Sequence, residues 1–297
     1  MTAITTDQAT ALRRMMEQHE AVEPAAVAPH PPTGPFVIAI ASGKGGVGKS
    51  NVAVNLSWSL AAAGQRVLLL DADLGTANAD VLLGVRPRHH LGDVLGGRCA
   101  LADAAQLVAP QLRLIPGASG IGDVANLGDA QRARLLNGMA RLEQSCDVLI
   151  IDCGAGISQN VLAFAQAADQ LLLVTTPEPT ALADAYSLVK VASRMQQTPD
   201  LALVVNAVLD RQEGRDVTQR FTNAAARFLQ VAVDDFGQIP RDPRVPLAVR
   251  ERRPVVHVYP RSPAARAISG LAQRILSRDA SPSVRRGFFQ QIFGLFY

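Results

Sequence analysis

The chain has 297 residues, of which 48% are hydrophobic and 19% charged, enough for one large α/β domain and too apolar for wholesale disorder. A net charge of +3 does not by itself argue for a nucleic-acid partner. The three cysteines, Cys99, Cys146 and Cys153, form no CxxC pair and no metal-like spacing, which argues against a disulfide framework or zinc site and fits a reducing compartment.

Residues 5–20 read as a short helix. Thr5 caps it with Gln8 as capping-box partner, and Ala9, Leu12 and Met16 supply a modest apolar stripe. Five prolines between residues 21 and 35 then block helix and sheet, so the first helix is expected to be tethered outside the main domain. From Phe36 strands and helices alternate. FVIAIA (36–41), RVLLLD (66–71), LRLIP (112–116), VLIID (148–152), QLLLVTT (170–176), LALVVN (201–206) and DFGQIP (235–240) are apolar runs without period-two alternation. Such strands are buried on both faces, as in a parallel sheet between helix layers. Helices are predicted at about 50–63, 129–143, 157–167, 180–196, 214–229, 243–250 and 262–277. The fold class expected over residues 36–277 is α/β, a doubly wound, mostly parallel sheet with helices on both faces.

Residues 278–286 form a second linker, and residues 287–297 a short amphipathic segment. On a helix, Phe288, Phe289, Ile292, Phe293 and Phe296 gather on one side, with Arg285 and Arg286 just before them. No apolar run approaches the roughly 20 residues of a spanning helix, and the start, MTAITTDQ, lacks the regions of a signal peptide.

The strongest local signal follows the first strand. Gly43-Lys44-Gly45-Gly46-Val47-Gly48-Lys49-Ser50 matches G-x-x-x-x-G-K-[ST] and opens a helix, and the stretch expected to bind the nucleotide runs from Gly43 through Asn51. Glycines let the backbone turn its N–H groups toward phosphates, and the helix N-terminus adds partial positive charge. Lys49 is expected at the β- and γ-phosphates of ATP and Ser50 on Mg²⁺. Only three lysines occur in the chain, and two of them, Lys44 and Lys49, lie in this loop. Two further strand ends carry acids: Asp71 and Asp73 after the second strand, and Asp152 in LIIDCG.

KGGVGKS resembles the deviant Walker A motif of the ParA/MinD ATPases, and the resemblance extends over about residues 36–277. It implies that Lys44 reaches the nucleotide of a second subunit in an ATP-bound homodimer. It makes Asp73, in a switch I-like segment, the residue that orients the attacking water beside the metal. It makes Asp152, in a Walker B-like segment, a Mg²⁺ ligand through the metal's water shell. By the same resemblance Asn206, Pro240 and Asp242 contact the adenine. Cys153 stands where relatives carry Thr or Ser, and a thiol is a poor hydrogen-bonding group.

DADLGTANADVLLG (71–84), DCGAGIS (152–158) and TTPEPTALADAYSLVK (175–190) are most similar to the FlhG branch, also called FleN or YlxH. Asp7, Gln8, Ala9, Leu12 and Arg13 resemble that branch's DQAxxLR activator motif, which implies stimulation of an FlhF-type GTPase, with Gln8 reaching its site. The last helix resembles the membrane-targeting helix of the family. Together these imply a slow ATPase that is cytoplasmic and peripheral on an anionic inner membrane, and that controls flagellar number or placement. A FleQ-like regulator and flagellar C-ring components are further candidate partners. The alternatives are a division-site or partition ATPase, and a nucleotide-gated antagonist of a flagellar transcription regulator. Eleven arginines against three acids between residues 241 and 286 keep DNA open as a partner without supporting it.

Overall fold

The apolar run after the proline-rich segment becomes β1 (Phe36–Ser42), of which only the first residue is not buried. The computed structural model describes residues 34–73, 77–90, 93–94, 97–117, 138–195, 197–277, 288 and 291–292. Asp7, Gln8, Ala9, Leu12 and Arg13 therefore lie outside the described residues, as do Arg285, Arg286, Phe289, Phe293 and Phe296.

Eight described strands make one sheet in the order β3-β4-β2-β5-β1-β6-β7-β8. They are β2 (Val67–Ala72), β3 (Gln106–Ala109), β4 (Leu112–Ile115), β5 (Val148–Ala155), β6 (Gln170–Thr175), β7 (Asp200–Val208) and β8 (Asp234–Pro240) alongside β1. All pairings are parallel except β3 with β4. β3 is absent from the sequence expectation because it is four residues long and nowhere buried, so it carries no core signal.

Alternation within β1 shows why its sequence is apolar throughout. Val37, Ala39 and Ala41 pack into one core, while Ile38 and Ile40 pack into another on the opposite face. The first core takes residues from α4 (Gln159–Ala167), α5 (Pro179–Ala192) and α6 (Arg211–Ala224); the second takes α1 (Lys49–Ala62) and α9 (Pro263–Ser277). Both faces of the sheet are thereby covered, as continuous apolar strands require.

Helix ends follow capping chemistry that period alone does not show. α4 starts at Gln159 because Ser158 accepts the Val161 N–H, and α6 starts at Arg211 because the Asp210 side chain accepts from Gln212 and Glu213. Residues Ala225–Leu229 continue α6 as a π-helical turn. Three short helices were not anticipated: α2 (Ala79–Leu83), α3 (Leu101–Ala104) and α8 (Val255–Val258), which precedes α9. At four or five residues they carry too little periodicity to register. α7 (Arg244–Arg250) falls where expected. Of the helix anticipated at 129–143, only 138–144 is described, and it is helical.

At the end of the chain Phe288 and Ile292, expected on the apolar side of a membrane-targeting helix, are both buried in the core that contains β1 and α4. The Phe288 ring stacks on Phe164 of α4, with centroids 6.4 Å apart and an interplanar angle of 18°. The physical reason is that an apolar helix face cannot distinguish lipid from the protein's own unfilled groove. No described helix is long and apolar enough to cross a membrane.

Candidate functional site

The C-terminal ends of β1, β2 and β5 converge where the strand order changes direction, the place at which open α/β sheets bind ligands. Residues 43–48 connect β1 to α1. Gly46 and Gly48 have φ values of +82° and +90°, a left-handed backbone that side chains other than glycine rarely adopt. Neither a side-chain cap nor an acidic residue occupies the first turn of α1, so its leading N–H groups keep their affinity for an anion. Gly43 meets a different constraint: a Cβ there would lie 2.1 Å from the carbonyl carbon of Asp184 in α5. Asn206, near the end of β7, donates to the Val47 carbonyl at 2.8 Å and so braces the loop from behind.

Lys49 is buried, and its ammonium donates to Asp152 Oδ1 at 2.6 Å and to Ser50 Oγ at 3.3 Å. Burial pushes the Asp152 carboxyl up, and the Lys49 and Ser50 hydrogen bonds partly offset it. Asp152 Oδ2 is buried without a protein hydrogen-bond partner. An acceptor oxygen left over beside a serine hydroxyl and a lysine fits a hydrated divalent cation, because magnesium is held by one or two carboxylates plus phosphates. Among the described residues there is no cluster of three or more His, Cys, Asp or Glu that could hold a metal ion.

Asp71 sits opposite Asp152 in the β2–β5 register. Sequence reasoning gave it no separate role. Its carboxylate accepts the N–H groups of Asp73 at 3.2 Å and of Asn78 and Ala79 at 3.0 Å each, tying both ends of the intervening loop to the sheet. Burial pushes this carboxyl up to about 6, with the charge on Asp152 adding to the shift and the three N–H groups offsetting it. The one available signal was a second carboxylate two residues before Asp73 at a strand end. Asp73 itself is half-buried and faces Gly154: a Cβ on that glycine would lie 3.9 Å from Asp73 Oδ1. The structure thus brings Asp73, Asp152, Lys49 and Ser50 together at one end of the sheet.

Other expected site residues are placed differently. Lys44 forms an ion pair with Glu178 at 2.9 Å and a hydrogen bond to Thr180 at 3.0 Å, neither of which the spacing of the loop reveals. The Asn51 carbonyl and side-chain oxygen accept from Asn55 one turn on, a contact within α1. Pro240 ends β8 beside Val208. Asp242 is buried, and its two oxygens accept from Arg244 N–H at 2.9 Å and Ala264 N–H at 3.0 Å. Burial would raise its carboxyl, yet these N–H groups hold it below the usual range. This carboxylate, expected at the base, here ties the start of α7 to the start of α9. The Cys153 thiol is fully buried and kept protonated by burial, with only a 3.8 Å contact to the Ile151 carbonyl.

Comparison with known proteins agrees with this geometry. Residues 38–255 match the model of the CobQ/CobB/MinD/ParA nucleotide binding domain. The chain is 43% identical to the antiactivator FleN of Pseudomonas aeruginosa over 255 residues, covering 85% of this chain and 91% of that protein. It is 34% identical to the flagellum site-determining protein YlxH of Helicobacter pylori, covering 81% and 82% respectively. Among solved structures, MinD of Pyrococcus horikoshii complexed with Mg-ADP superposes with a TM-score of 0.65 at 26% identity, covering 83% of this chain and 98% of that one. Strand order, glycine loop, the buried Lys49–Asp152 pair and these matches converge: the chain belongs to the CobQ/CobB/MinD/ParA nucleotide-binding family, as a MinD-like P-loop ATPase of the FleN and YlxH branch.

Proposed function

We propose that this chain is an ATP-driven switch that sets flagellar number or placement, closing into a homodimer on ATP and opening after hydrolysis. The observation that carries the chemistry is the buried Lys49–Asp152 pair with Asp152 Oδ2 left over at the phosphate loop. The extended identity to FleN and YlxH carries the flagellar part.

Lys49 would exchange Asp152 for the β- and γ-phosphates, leaving Asp152 and Ser50 to hold Mg²⁺. Mg-ATP supplies a phosphoanhydride whose charge the metal helps to neutralise. Gly43, Gly45, Gly46, Val47 and Gly48 offer backbone N–H groups around it, with Asn206 and Pro240 bordering the base. Asp73 accepts a hydrogen bond from the attacking water and holds it in line. Lys44 serves the partner's nucleotide. Asp71 keeps Asp73 in place, so Asp71→Ala is expected to lower ATP turnover about tenfold or more while nucleotide affinity stays within about threefold, by the measure of ground-state against transition-state effects. Phosphate release and nucleotide titration check this.

The N-terminal residues Asp7, Gln8, Ala9, Leu12 and Arg13 would stimulate an FlhF-type GTPase. The C-terminal apolar residues would engage an anionic inner membrane when the dimer exposes them, two tails binding far better than one. The deciding experiment is GTP hydrolysis by the cognate FlhF with and without a peptide of residues Met1–Glu20, and with its Gln8→Ala variant. Stimulation by the first peptide and not by the second is expected. No stimulation, with the GTPase shown competent, overturns the activator role.

A second reading is favoured by the word antiactivator in the name of the FleN relative: the ATP-bound form sequesters a transcription activator. An Asp73→Ala chain would then still repress.

A further inference from the structure

Glu178 and Thr180 stand outside every role assigned so far. Glu178 Oε1 receives hydrogen bonds from Lys44 Nζ at 2.9 Å and from the Thr180 hydroxyl at 2.9 Å, while that hydroxyl accepts from Lys44 Nζ at 3.0 Å. The three groups close a ring across 134 positions of sequence. Backbone packing holds them there. Gly43, the residue before Lys44, lies so close to the Asp184 backbone that no Cβ fits between them, so the glycine loop is packed directly against α5. The Ser42 hydroxyl donates to the Lys44 carbonyl at 2.9 Å and fixes the root of the side chain. Lys44 and Glu178 remain substantially solvent-exposed, at 39% and 55% of their side-chain areas. The Lys44 hydrogen bond, followed by that of Thr180, holds the Glu178 carboxyl below its usual range.

The Lys44 ammonium has three N–H donors and this ring takes two of them, so a phosphate of another chain that draws the ammonium toward itself weakens or displaces the contacts to Glu178 and Thr180. We propose that Glu178 and Thr180 are positioning residues that compete, within one chain, for the lysine that a second copy's nucleotide requires, and so set the concentration at which the dimer closes. This rests on the trans role of Lys44. The latch is exposed and therefore weak, and a doubly charged terminal phosphate outcompetes it, since charge-assisted contacts strengthen with the acceptor's charge. Opening one such surface pair costs a factor of about two to five, and a two-fold dimer must open two, which gives about four- to 25-fold in the dimer constant.

The test is sedimentation velocity of the full chain with adenosine 5′-(β,γ-imido)triphosphate. Glu178→Gln is expected to tighten dimerisation by about four- to 25-fold, and Thr180→Val to shift it in the same direction by less. Glu178→Asp, which keeps the charge, should stay nearer the native value. Affinity of the monomer for ADP should not move, and a merely structural defect would change it. An unchanged or weakened dimer in Glu178→Gln overturns the latch. If Lys44→Ala abolishes dimerisation in that same series, the trans role survives and only the latch falls. If Lys44→Ala dimerises like the native chain, the trans role falls and the latch with it.

Discussion

Asp73→Ala should lower ATP turnover by about a hundredfold or more while leaving ATP binding intact, so that the ATP-bound dimer accumulates. The magnitude is that of removing a group which handles the nucleophile in the transition state. The geometry separates this effect from binding. Asp73 follows β2 directly, its backbone N–H is pinned to Asp71, and its carboxylate faces Gly154 across the mouth of the site. Phosphate recognition sits on the other side of that mouth, in the glycine loop and Lys49. Phosphate release, together with sedimentation in saturating ATP, measures both halves. A variant that hydrolyses ATP at the native rate removes Asp73 from the reaction. A variant that stays monomeric with ATP bound breaks the link between hydrolysis and reopening. Lys49→Ala is the contrasting control: it leaves Asp152 buried without its partner and the loop without its phosphate contact, so binding itself is lost.

The fold and the phosphate loop could be read from sequence for the same reason: each rests on a local pattern. Continuous apolar runs such as Val148–Ile151 need no alternation because both faces of the sheet are covered. The glycine loop shows itself through spacing, since only glycine tolerates the backbone at Gly46 and Gly48. What stayed hidden depends on partners far apart in the chain. Glu178 lies 134 residues from Lys44, and Ala264 lies 22 residues from the carboxylate of Asp242 that caps it. Asp71 was visible as a residue, but its role is to hold three N–H groups in place, and that requires the loop's return path. β3 failed for a different reason: a half-exposed edge strand of four residues has almost no core face to declare.

The second large effect concerns the end of the chain, where an amphipathic face was legible and its occupant was not. Phe288 is buried against Phe164, and losing one ring of such a stack removes about 0.5–1.5 kcal/mol of pairing and about 1.5–3 kcal/mol of burial. Truncating either ring therefore undocks the tail locally by the same route. The two truncations differ in what they leave for a membrane. Phe164→Ala empties the seat and keeps the tail's apolar side whole, so sedimentation with anionic vesicles in ADP should rise by about tenfold or more. Phe288→Ala weakens the seat and the lipid contact together, so vesicle binding in ATP should fall below the native level. The position of the seat also connects it to the nucleotide. Phe164 lies on α4, whose N-cap Ser158 follows the segment running from Asp152 through Gly154, and Gly156 N–H bonds the Ser42 carbonyl at 2.8 Å at the edge of the phosphate loop. Six residues of helix, about 9 Å, separate the Ser158 cap from the Phe164 ring under Phe288. If Phe164→Ala raised vesicle binding in ADP to the level reached in ATP, and so abolished the difference between them, the seat on α4 would be the place at which nucleotide governs the tail. If it changed neither, docking on this core would have no part in membrane residence.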